Sequence, residues 1–352
     1  MALVSLHALC SARRVCSSSL GEPLAFVFPG QGSQSVGMGR AVFDTSANAR
    51  RTFEEADDVL GYSISKIAFE GPAERLDETA TAQPAILTTS IAILEALAER
   101  AASVRRRITE GLEPRGVAAL PSEIRPAYVA GHSLGEFSAL VAAGVLTFPD
   151  ALRLVAERGR LARTKGARGA MAAIIGLSAQ RVDEIIRATV PDGSTVVAND
   201  NGPTQVTIAG ESASLAKVSD ALARFGAKKI VPLRISGPFH FPEMGRIGED
   251  LRQFMNSLRF RDPVVPVIAN VSGLPHPSAS AIPDALVRHL AQRVEWLRSV
   301  TFMREGGAST FVEIGAGQVV SGLVKRIVDA RTVAISDPPS ISDLVAKLRP
   351  AL

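Results

Sequence analysis

The segment Tyr128-Val129-Ala130-Gly131-His132-Ser133-Leu134-Gly135-Glu136-Phe137-Ser138-Ala139-Leu140 places a Gly-x-Ser-x-Gly motif between two contrasting patterns. A short apolar run precedes the motif, and apolar residues at helical spacing follow it. This order is typical of a nucleophile elbow, in which glycines relieve crowding around an outward-facing serine and the amides of the following helix can meet an oxyanion. The motif therefore predicts an α/β fold with Ser133 as nucleophile. An ordinary tight turn is the alternative, because Gly and Ser are common in turns.

The composition is that of a globular protein. Of the 352 residues, 46% are hydrophobic and 21% are charged, and this length allows one large domain with an insertion or two ordinary domains. We find no apolar run that approaches a membrane span, and we predict no transmembrane helix. The formal charge of +4 is spread along the chain without dense Lys/Arg clusters. Nucleic-acid binding is therefore not predicted, whereas a mildly basic protein suits anionic partners.

The first 22 residues differ from the rest of the chain. They hold both cysteines, Cys10 and Cys16, so a disulfide framework and a cysteine metal site are excluded for the body of the protein. They also contain two arginines, five serines and no acidic residue before Glu22, which is typical of a transit peptide. We predict a targeting leader over residues 1–22 and an organellar address, either mitochondrion or plastid. The alternatives are a disordered N-terminus, or a short secretory segment over residues 1–9 ahead of a transit segment.

A second apolar run, residues 24–28, predicts a buried strand of a largely parallel sheet. The loop after it, Pro29-Gly30-Gln31-Gly32-Ser33-Gln34, has glycines where the backbone must approach another group closely. A dinucleotide-binding fingerprint would need glycine at the position of Ser35. We therefore interpret this loop as a backbone wall of the active site.

The order of the remaining elements predicts two parts. Over residues 168–232, segments alternate as strand-helix-strand-strand-helix-strand, the order of a ferredoxin-like α+β subdomain. We predict that this subdomain is inserted into an α/β-hydrolase-like large domain with a mostly parallel sheet, formed by residues 23–167 and 233–352, and that it covers the active site. Residues 101–126, which carry arginines and prolines without periodicity, are predicted to form an exposed insertion loop.

One arginine falls on the apolar side of a predicted helix. Over residues 150–164, Arg158 shares a face with Leu154, Val155, Leu161 and Ala162. A buried guanidinium stays charged, so an anion should meet it, and a carboxylate suits its bidentate geometry. The periodicity leaves two partners open: an internal Asp or Glu, or a substrate.

A serine nucleophile needs a base, and the usual base is an imidazole. Of the five histidines we favour His240, which lies in a loop between a predicted strand and a helix. The other four lie in the leader, beside the serine, in a Pro-rich loop and inside a helix. A surface or helix-capping role is the alternative for His240. In the α/β-hydrolase order an acidic third member would lie between Ser133 and His240, where Asp192 and Asp200 are the loop candidates and neither stands at an obvious strand end. A Ser-His pair oriented by a backbone carbonyl is the simpler prediction.

With these residues in view, the chain resembles the malonyl-CoA:acyl carrier protein transacylases of type II fatty acid synthesis. The resemblance extends from about residue 24 to about residue 335. Several motifs in the expected order carry it: Phe28-Pro29-Gly30-Gln31-Gly32-Ser33-Gln34, Gln83-Pro84-Ala85, Gly131-His132-Ser133-Leu134-Gly135-Glu136, Arg158-Gly159, Gly169-Ala170-Met171-Ala172-Ala173, Ser236 through His240, and Glu313-Ile314-Gly315.

The resemblance implies a ping-pong transfer without metal or bound cofactor. Ser133 would attack malonyl-CoA with His240 as base, and the phosphopantetheine thiol of acyl carrier protein would then take the malonyl group. The backbone amides of Gln31 and Leu134 would form the oxyanion hole, and Arg158 would bind the malonyl carboxylate. The implied partners are malonyl-CoA and acyl carrier protein, with no nucleic acid or membrane, and a monomer is expected.

Further positions follow from the resemblance. Phe239 precedes the histidine, as in malonyl-selective acyltransferases, and so favours malonyl over bulkier groups. His289 stands where the family often has Gln and where a main-chain carbonyl orients the catalytic histidine; a backbone role tolerates this change. Asn199 and Asn201 match asparagines near the substrate cleft. Alternatives to the implied function are a trans-acting polyketide acyltransferase, a serine esterase and a non-catalytic carrier-protein binder.

Overall fold

The computed structural model describes residues 23–105, 115–233, 235 and 237–348. The predicted leader, residues 1–22, lies outside the described residues. The strands are β1 (Leu24–Phe28), β2 (Tyr128–Gly131), β3 (Ala170–Ile175), β4 (Thr195–Gly202), β5 (Gln205–Gly210), β6 (Lys229–Pro232), β7 (Val267–Ala269), β8 (Leu274–Pro275), β9 (Thr310–Ile314) and β10 (Arg331–Ile335).

The helices surround these strands along the chain. The α-helices of the described residues are α1 (Arg40–Thr45), α2 (Ala47–Leu60), α3 (Ile64–Glu70), α4 (Ala73–Asp77), α5 (Thr79–Arg105), α6 (Gly135–Ala142), α7 (Phe148–Lys165), α8 (Ala179–Thr189), α9 (Ser212–Arg224), α10 (Gly248–Met255), α11 (Ile282–Ala291), α12 (Trp296–Glu305), α13 (Val319–Ile327) and α14 (Pro338–Lys347). Short 3-10 helices occur at Gly116–Ala119, Ser122–Ile124, Pro242–Ile247 and Ala279–Ala281.

A six-stranded sheet in the order β10-β9-β1-β2-β7-β8 forms the centre of the large part. All its pairs are parallel except β7 with β8. β1 is buried along its whole length, as its unbroken apolar run predicts. Because β1, β2, β7 and β9 are parallel, their carboxyl ends lie at the same edge of the sheet. The loops that follow these strands therefore meet there, where α/β folds bind ligands.

The second sheet has the order β4-β5-β3-β6 and is antiparallel throughout. With α8 and α9 in the connections, this is the strand-helix-strand-strand-helix-strand order that the sequence predicts for a ferredoxin-like subdomain. One apolar cluster joins the sheet to both helices; it includes Ile174, Val182, Ile208, Val218 and Leu222. The mixed α/β architecture is thus the predicted one.

Helix α5 is the long apolar helix of the core. Within the described residues, Thr79–Ser103 is long and apolar enough to cross a membrane, contrary to our expectation from the sequence that no segment reaches that length. However, 94% of its most apolar window is buried inside the protein, where it packs against α2, α6 and α7. Its apolar side chains therefore form part of the protein core.

The predicted exposed loop at residues 101–126 is wrong for the parts that are described. Helix α5 continues to Arg105, and the two 3-10 helices at Gly116–Ala119 and Ser122–Ile124 follow residues 106–114, which lie outside the described part. Val117, Leu120 and Ile124 are buried. These apolar side chains are spaced irregularly because they belong to 3-10 turns, so neither helical nor strand periodicity indicated their burial.

Candidate active site

Ser133 stands on the sharp turn between β2 and α6, and its φ of +50° is in the left-handed region. This conformation costs a non-glycine residue on the order of 1 kcal/mol. The glycines on both sides make the turn possible. A Cβ on Gly131 would lie 1.8 Å from the carbonyl carbon of Gly135, and a Cβ on Gly135 would lie 2.2 Å from the carbonyl oxygen of Phe28. The local pattern thus produces the nucleophile elbow that the sequence predicts.

His240 lies beside this serine. Its Nε2 is 2.7 Å from Ser133 Oγ, and its Nδ1 is 2.8 Å from the backbone carbonyl oxygen of His289. A carbonyl oxygen only accepts, so Nδ1 carries the proton and Nε2 is left free to accept from the serine. His240 is 2% exposed and has a φ of +58°, at the turn before Pro242–Ile247. The expected Ser-His pair and its orienting carbonyl are therefore together in space.

The two acidic candidates lie elsewhere. Asp192 is exposed and accepts hydrogen bonds from Ser194, and the backbone amide of Asp200 donates to Val294 on the far side of β4.

Burial lowers the pKa of His240 to about 3, and the positive charge of Arg158 adds to this effect. His240 is therefore neutral at pH 7 and available as a base.

Arg158 faces the same cleft from α7, whose N-terminus is capped by the Thr147 side chain. Arg158 is 2% exposed, and its guanidinium lies 4.6 Å from the centre of the Phe239 ring and 5.8 Å from that of Phe137. Its Nη2 has no hydrogen-bond partner, and no carboxylate oxygen of the described residues lies within 4.0 Å of the guanidinium. Burial lowers its pKa to about 10, while Glu136 opposes that shift, so the group stays charged at pH 7.

The predicted oxyanion-hole residues line the cleft next to the serine. Gln31 and Leu134 both contribute to its wall, and neither backbone amide donates a hydrogen bond within the described chain. The Gln31 side chain is held in place by a hydrogen bond that its Nε2 donates to Thr79 Oγ1, at 3.1 Å. Both residues therefore have an unpaired amide in the part of the chain described, which is what an oxyanion hole requires.

Some of the other predicted residues also belong to the cleft. Asn199 and Phe239 line it, but Asn201 does not. Asn201 instead lies behind the wall, where its Oδ1 accepts from His132 Nε2 at 2.7 Å and its Nδ2 donates to Thr207 Oγ1 at 3.2 Å. A role for Asn201 in direct substrate contact is therefore replaced by one in fixing the His132 ring.

Gln83 is a cleft residue to which sequence reasoning assigned no role. It lies on α5, is 1% exposed, and donates from Nε2 to Gln31 Oε1 at 3.5 Å, while its Oε1 has no partner in the described chain. Met171 and Thr207 from the small sheet, and Leu233 and Ile235 from the segment after it, also line the cleft. The motif Gln83-Pro84-Ala85 was a signal, but only packing shows which face of α5 meets the cleft.

The family model described as an acyl transferase domain matches residues 25–337. The chain belongs to this acyl transferase family. Malonyl CoA-acyl carrier protein transacylase of Bacillus subtilis is 39% identical over 330 residues, which cover 93% of this chain and 97% of that protein. The Escherichia coli K12 protein of the same name is 38% identical over 318 residues, covering 90% and 96%.

Solved structures of the acyl transferase family show the same fold. An acyl-carrier-protein S-malonyltransferase from Bartonella henselae superposes with a TM-score of 0.84 at 36% identity, covering 93% of this chain and 99% of that chain. A malonyl-transacylase in complex with a type II polyketide synthase acyl-carrier protein gives a TM-score of 0.82 at 36% identity, covering 92% and 99%. The predicted family and fold class are confirmed.

From the pKa shifts of three buried histidines we predict how the stability of this acyl transferase depends on pH. Burial lowers the pKa of His132, His240 and His289 below the ordinary 6.5. Below pH 6.5 the unfolded chain therefore binds protons that the folded chain does not, so stability is complete above pH 6.5 and falls as the pH decreases. Three protons set a limiting slope of about 4 kcal/mol per pH unit.

Urea denaturation at pH 7.5, 6.5 and 5.5 measures this slope, with the free energy of unfolding expected to fall at the lowest pH. His289→Gln removes one of the three groups and should reduce the slope by about a third. A free energy of unfolding that is flat or rises between pH 6.5 and 5.5 contradicts the prediction. Buried carboxyl groups with raised pKa values, such as Glu95 and Glu313, oppose this trend, because the folded chain holds their protons more tightly than the unfolded chain does.

Proposed function

We propose that this chain transfers the malonyl group of malonyl-CoA to the phosphopantetheine thiol of acyl carrier protein, through a malonyl ester of Ser133, and thereby supplies fatty acid synthesis. The observation that carries the proposal is the state of Arg158. It is a buried cation that faces the cleft of Ser133 and His240 and has no carboxylate within 4.0 Å among the described residues. A substrate with a free carboxylate at the end of its acyl group supplies the missing anion.

In the first half-reaction, Ser133 Oγ attacks the thioester carbonyl of malonyl-CoA while His240 Nε2 takes the hydroxyl proton. The 2.7 Å contact between these atoms is already at hydrogen-bond distance. The carbonyl π electrons move to the oxygen, and the amides of Gln31 and Leu134 would stabilise this oxyanion. When the intermediate collapses, the C–S bond breaks, and the coenzyme A thiolate leaves with the proton held on His240.

In the second half-reaction, the carrier's phosphopantetheine thiol gives its proton to His240 Nε2 and attacks the malonyl ester. The C–O bond then breaks, and the proton returns to Ser133 Oγ. A carboxylate held by Arg158 fixes the position of the ester carbonyl, which favours an oriented bound thiol over a mobile water molecule. Both thiols arrive with the substrates, so the proposed chemistry uses no resident cofactor or metal.

The carrier protein is the partner that the comparisons favour. The relatives at 34–39% identity carry the name malonyl CoA-acyl carrier protein transacylase, and one similar structure is a complex with an acyl-carrier protein. That carrier belongs to a type II polyketide synthase, so the same transfer to a polyketide carrier is the second candidate. Phe239 lines the cleft with its ring centre 4.6 Å from the Arg158 guanidinium, and a bulky ring at this position supports malonyl over larger acyl groups as the donor.

The test is a two-step mass measurement. The protein is mixed with malonyl-CoA, and intact mass is expected to show one malonyl adduct, which peptide mapping places on Ser133. After removal of malonyl-CoA, addition of carrier protein bearing phosphopantetheine should discharge the adduct and load the carrier. Lack of an adduct indicates a non-catalytic binder, and an adduct lost equally fast to water indicates an esterase. Fatty-acid and polyketide carriers are compared at equal concentration to separate the two transferase candidates.

Two further expectations stay proposals. The organellar address rests only on the composition of residues 1–22, which precede the region that matches the family model. Imaging tests it by comparing a fluorescent protein that carries residues 1–22 at its N-terminus with the same fluorescent protein without them. The expected monomer is tested by light scattering of the purified protein.

A further inference from the structure

Beneath the Ser133–His240 pair lies a cluster of buried polar side chains that the proposed mechanism does not use. It consists of Glu136, Asn270, His276 and the ring of His289, which are between 1% and 8% exposed. Glu136 comes from the first turn of α6, Asn270 follows β7, and His289 lies on α11. The cluster therefore joins α6, which begins just after Ser133, to β7 and to α11, whose His289 carbonyl accepts from His240.

One side of the cluster leads to the nucleophile. The Glu136 carboxylate accepts a hydrogen bond from the backbone amide of Asn270 at 3.1 Å. The Asn270 side chain then accepts from the Ser133 amide at 2.8 Å and donates to the Gly131 carbonyl at 2.7 Å. Asn270 thus holds the backbone on both sides of His132. The turn here includes Ser133, whose positive φ costs free energy and so disfavours the elbow.

The other side leads to the base. Glu136 Oε2 lies 3.7 Å from His289 Nδ1, and the His289 carbonyl is the group that accepts from His240 Nδ1. The rings of His240 and His289 have centres 4.7 Å apart. The second oxygen of Glu136 is 2.9 Å from His276 Nε2. One carboxylate therefore accepts a hydrogen bond from Asn270, the residue that holds Ser133, and lies against the ring of His289, the residue whose carbonyl holds His240.

The charge of this carboxylate has few local partners. Among the described residues, no Lys or Arg nitrogen lies within 4.0 Å of it, and its close contacts are the Asn270 amide and the two histidine rings. Removing a carboxylate from water costs several kcal/mol unless hydrogen bonds and a counter-charge compensate. Arg158 is close enough for Glu136 to favour its positive state.

We propose that Glu136 is a positioning residue that holds Ser133 through Asn270 and His240 through His289 at their reacting distance. A misplacement of about 1 Å between reacting groups can cost on the order of 100-fold in rate, so a neutral replacement that loosens this link should slow attack by Ser133. The proposal concerns the same site as the proposed function and rests on it only for the choice of malonyl-CoA as substrate.

The test compares Glu136→Gln with the unchanged protein and uses two reagents for Ser133. The first is malonyl-CoA, with the rate of adduct formation followed over a range of concentrations. The second is phenylmethylsulfonyl fluoride, which is uncharged and does not need Arg158; Ser133 Oγ forms the O–S bond, fluoride leaves, and His240 takes the proton. We expect the maximal rate to fall on the order of 100-fold with both reagents, with half-saturation by malonyl-CoA changed less than about threefold.

Two outcomes overturn the proposal, and a third separates it from the proposed function. Unchanged rates with both reagents mean that Glu136 does not position the pair. A loss confined to malonyl-CoA means that Glu136 acts only through the charge of Arg158. If the unchanged protein reacts with phenylmethylsulfonyl fluoride but not with malonyl-CoA, the proposed function fails, and the uncharged reagent still decides the role of Glu136.

Two companion variants guard against a purely structural explanation. Asn270→Ala breaks the connection to Ser133 without touching the carboxylate, so it should also slow both reagents, and normal rates there contradict the proposal even if Glu136→Gln does not fold. Glu95→Gln is the matched control. Glu95 is 8% exposed, accepts the Gly116 amide at 3.0 Å and lies on α5, about 18 Å along the helix from Gln83. It should lower stability while leaving both rates within about threefold.

Discussion

Ser133→Ala is expected to abolish the malonyl adduct and to lower transfer to the carrier by roughly 10⁴-fold or more. The loss is this large because the serine oxygen forms and breaks the covalent bond in both half-reactions, and no other hydroxyl of the described residues lies at hydrogen-bond distance from His240 Nε2. Binding and the free amides of Gln31 and Leu134 remain, so residual direct transfer is the only expected activity.

Ser138→Ala is the control for this change. Ser138 lies on α6, five positions after the nucleophile, is fully buried, and has no hydrogen-bond partner for its hydroxyl in the described chain. Its replacement should leave both half-reactions unchanged. Both variants are measured by intact mass and by the rate of carrier loading. A Ser133→Ala protein that still acquires the adduct would show that another residue is the nucleophile.

Arg158→Ala should have the second-largest effect. We expect kcat/KM for malonyl-CoA to fall on the order of 10³-fold, because a buried, charge-assisted pair with the substrate carboxylate contributes several kcal/mol. Uncharged acyl-CoAs such as acetyl-CoA should gain relative to malonyl-CoA, because they lack the anion that the guanidinium meets. The measurement is a competition between malonyl-CoA and acetyl-CoA, with the two ester adducts separated by mass.

Arg160 on the same helix provides the matched comparison. It is exposed and paired with Glu157 at 2.6 Å, so Arg160→Ala removes an equal charge without facing the cleft. The Arg160→Ala protein should prefer malonyl-CoA as strongly as the unchanged protein does, since exposed ion pairs contribute little free energy. An Arg158→Ala protein that retains its malonyl preference would remove the main support for a dicarboxylic acyl donor and favour an esterase.

Arg158 also illustrates how far sequence reasoning reaches. Helical periodicity predicted that its side chain is buried, and the structure agrees. The periodicity left the partner undecided between an internal acid and a substrate, because spacing along one helix contains no information about side chains on other elements. The described structure brings no carboxylate within 4.0 Å, and Phe137 and Phe239 occupy the space around the guanidinium instead.

No local signal in the sequence indicated strand β10 or the role of Glu136. β10 is an edge strand whose residues are mostly half-buried, so it lacks the continuous apolar run that identified β1. Glu136 directly follows the Gly-x-Ser-x-Gly motif as an ordinary first-turn acid of a helix, a position where the helix dipole alone favours a carboxylate. Its contacts with His276 and His289 join residues 140 and 153 positions away, and no local pattern contains them.

The amino-acid sequence by itself determined the elbow at Ser133, the buried face of Arg158 and the alternation of strands and helices in the small subdomain. Each of these depends on interactions between residues a few positions apart, so local spacing is sufficient to specify them. Only the tertiary structure decided that His240 meets a serine 107 positions earlier, that Asn201 lies behind the cleft wall, and that Glu136 underlies both reacting groups. Such contacts depend on how the parallel strands bring their carboxyl ends to one edge, which is a property of the packed sheet.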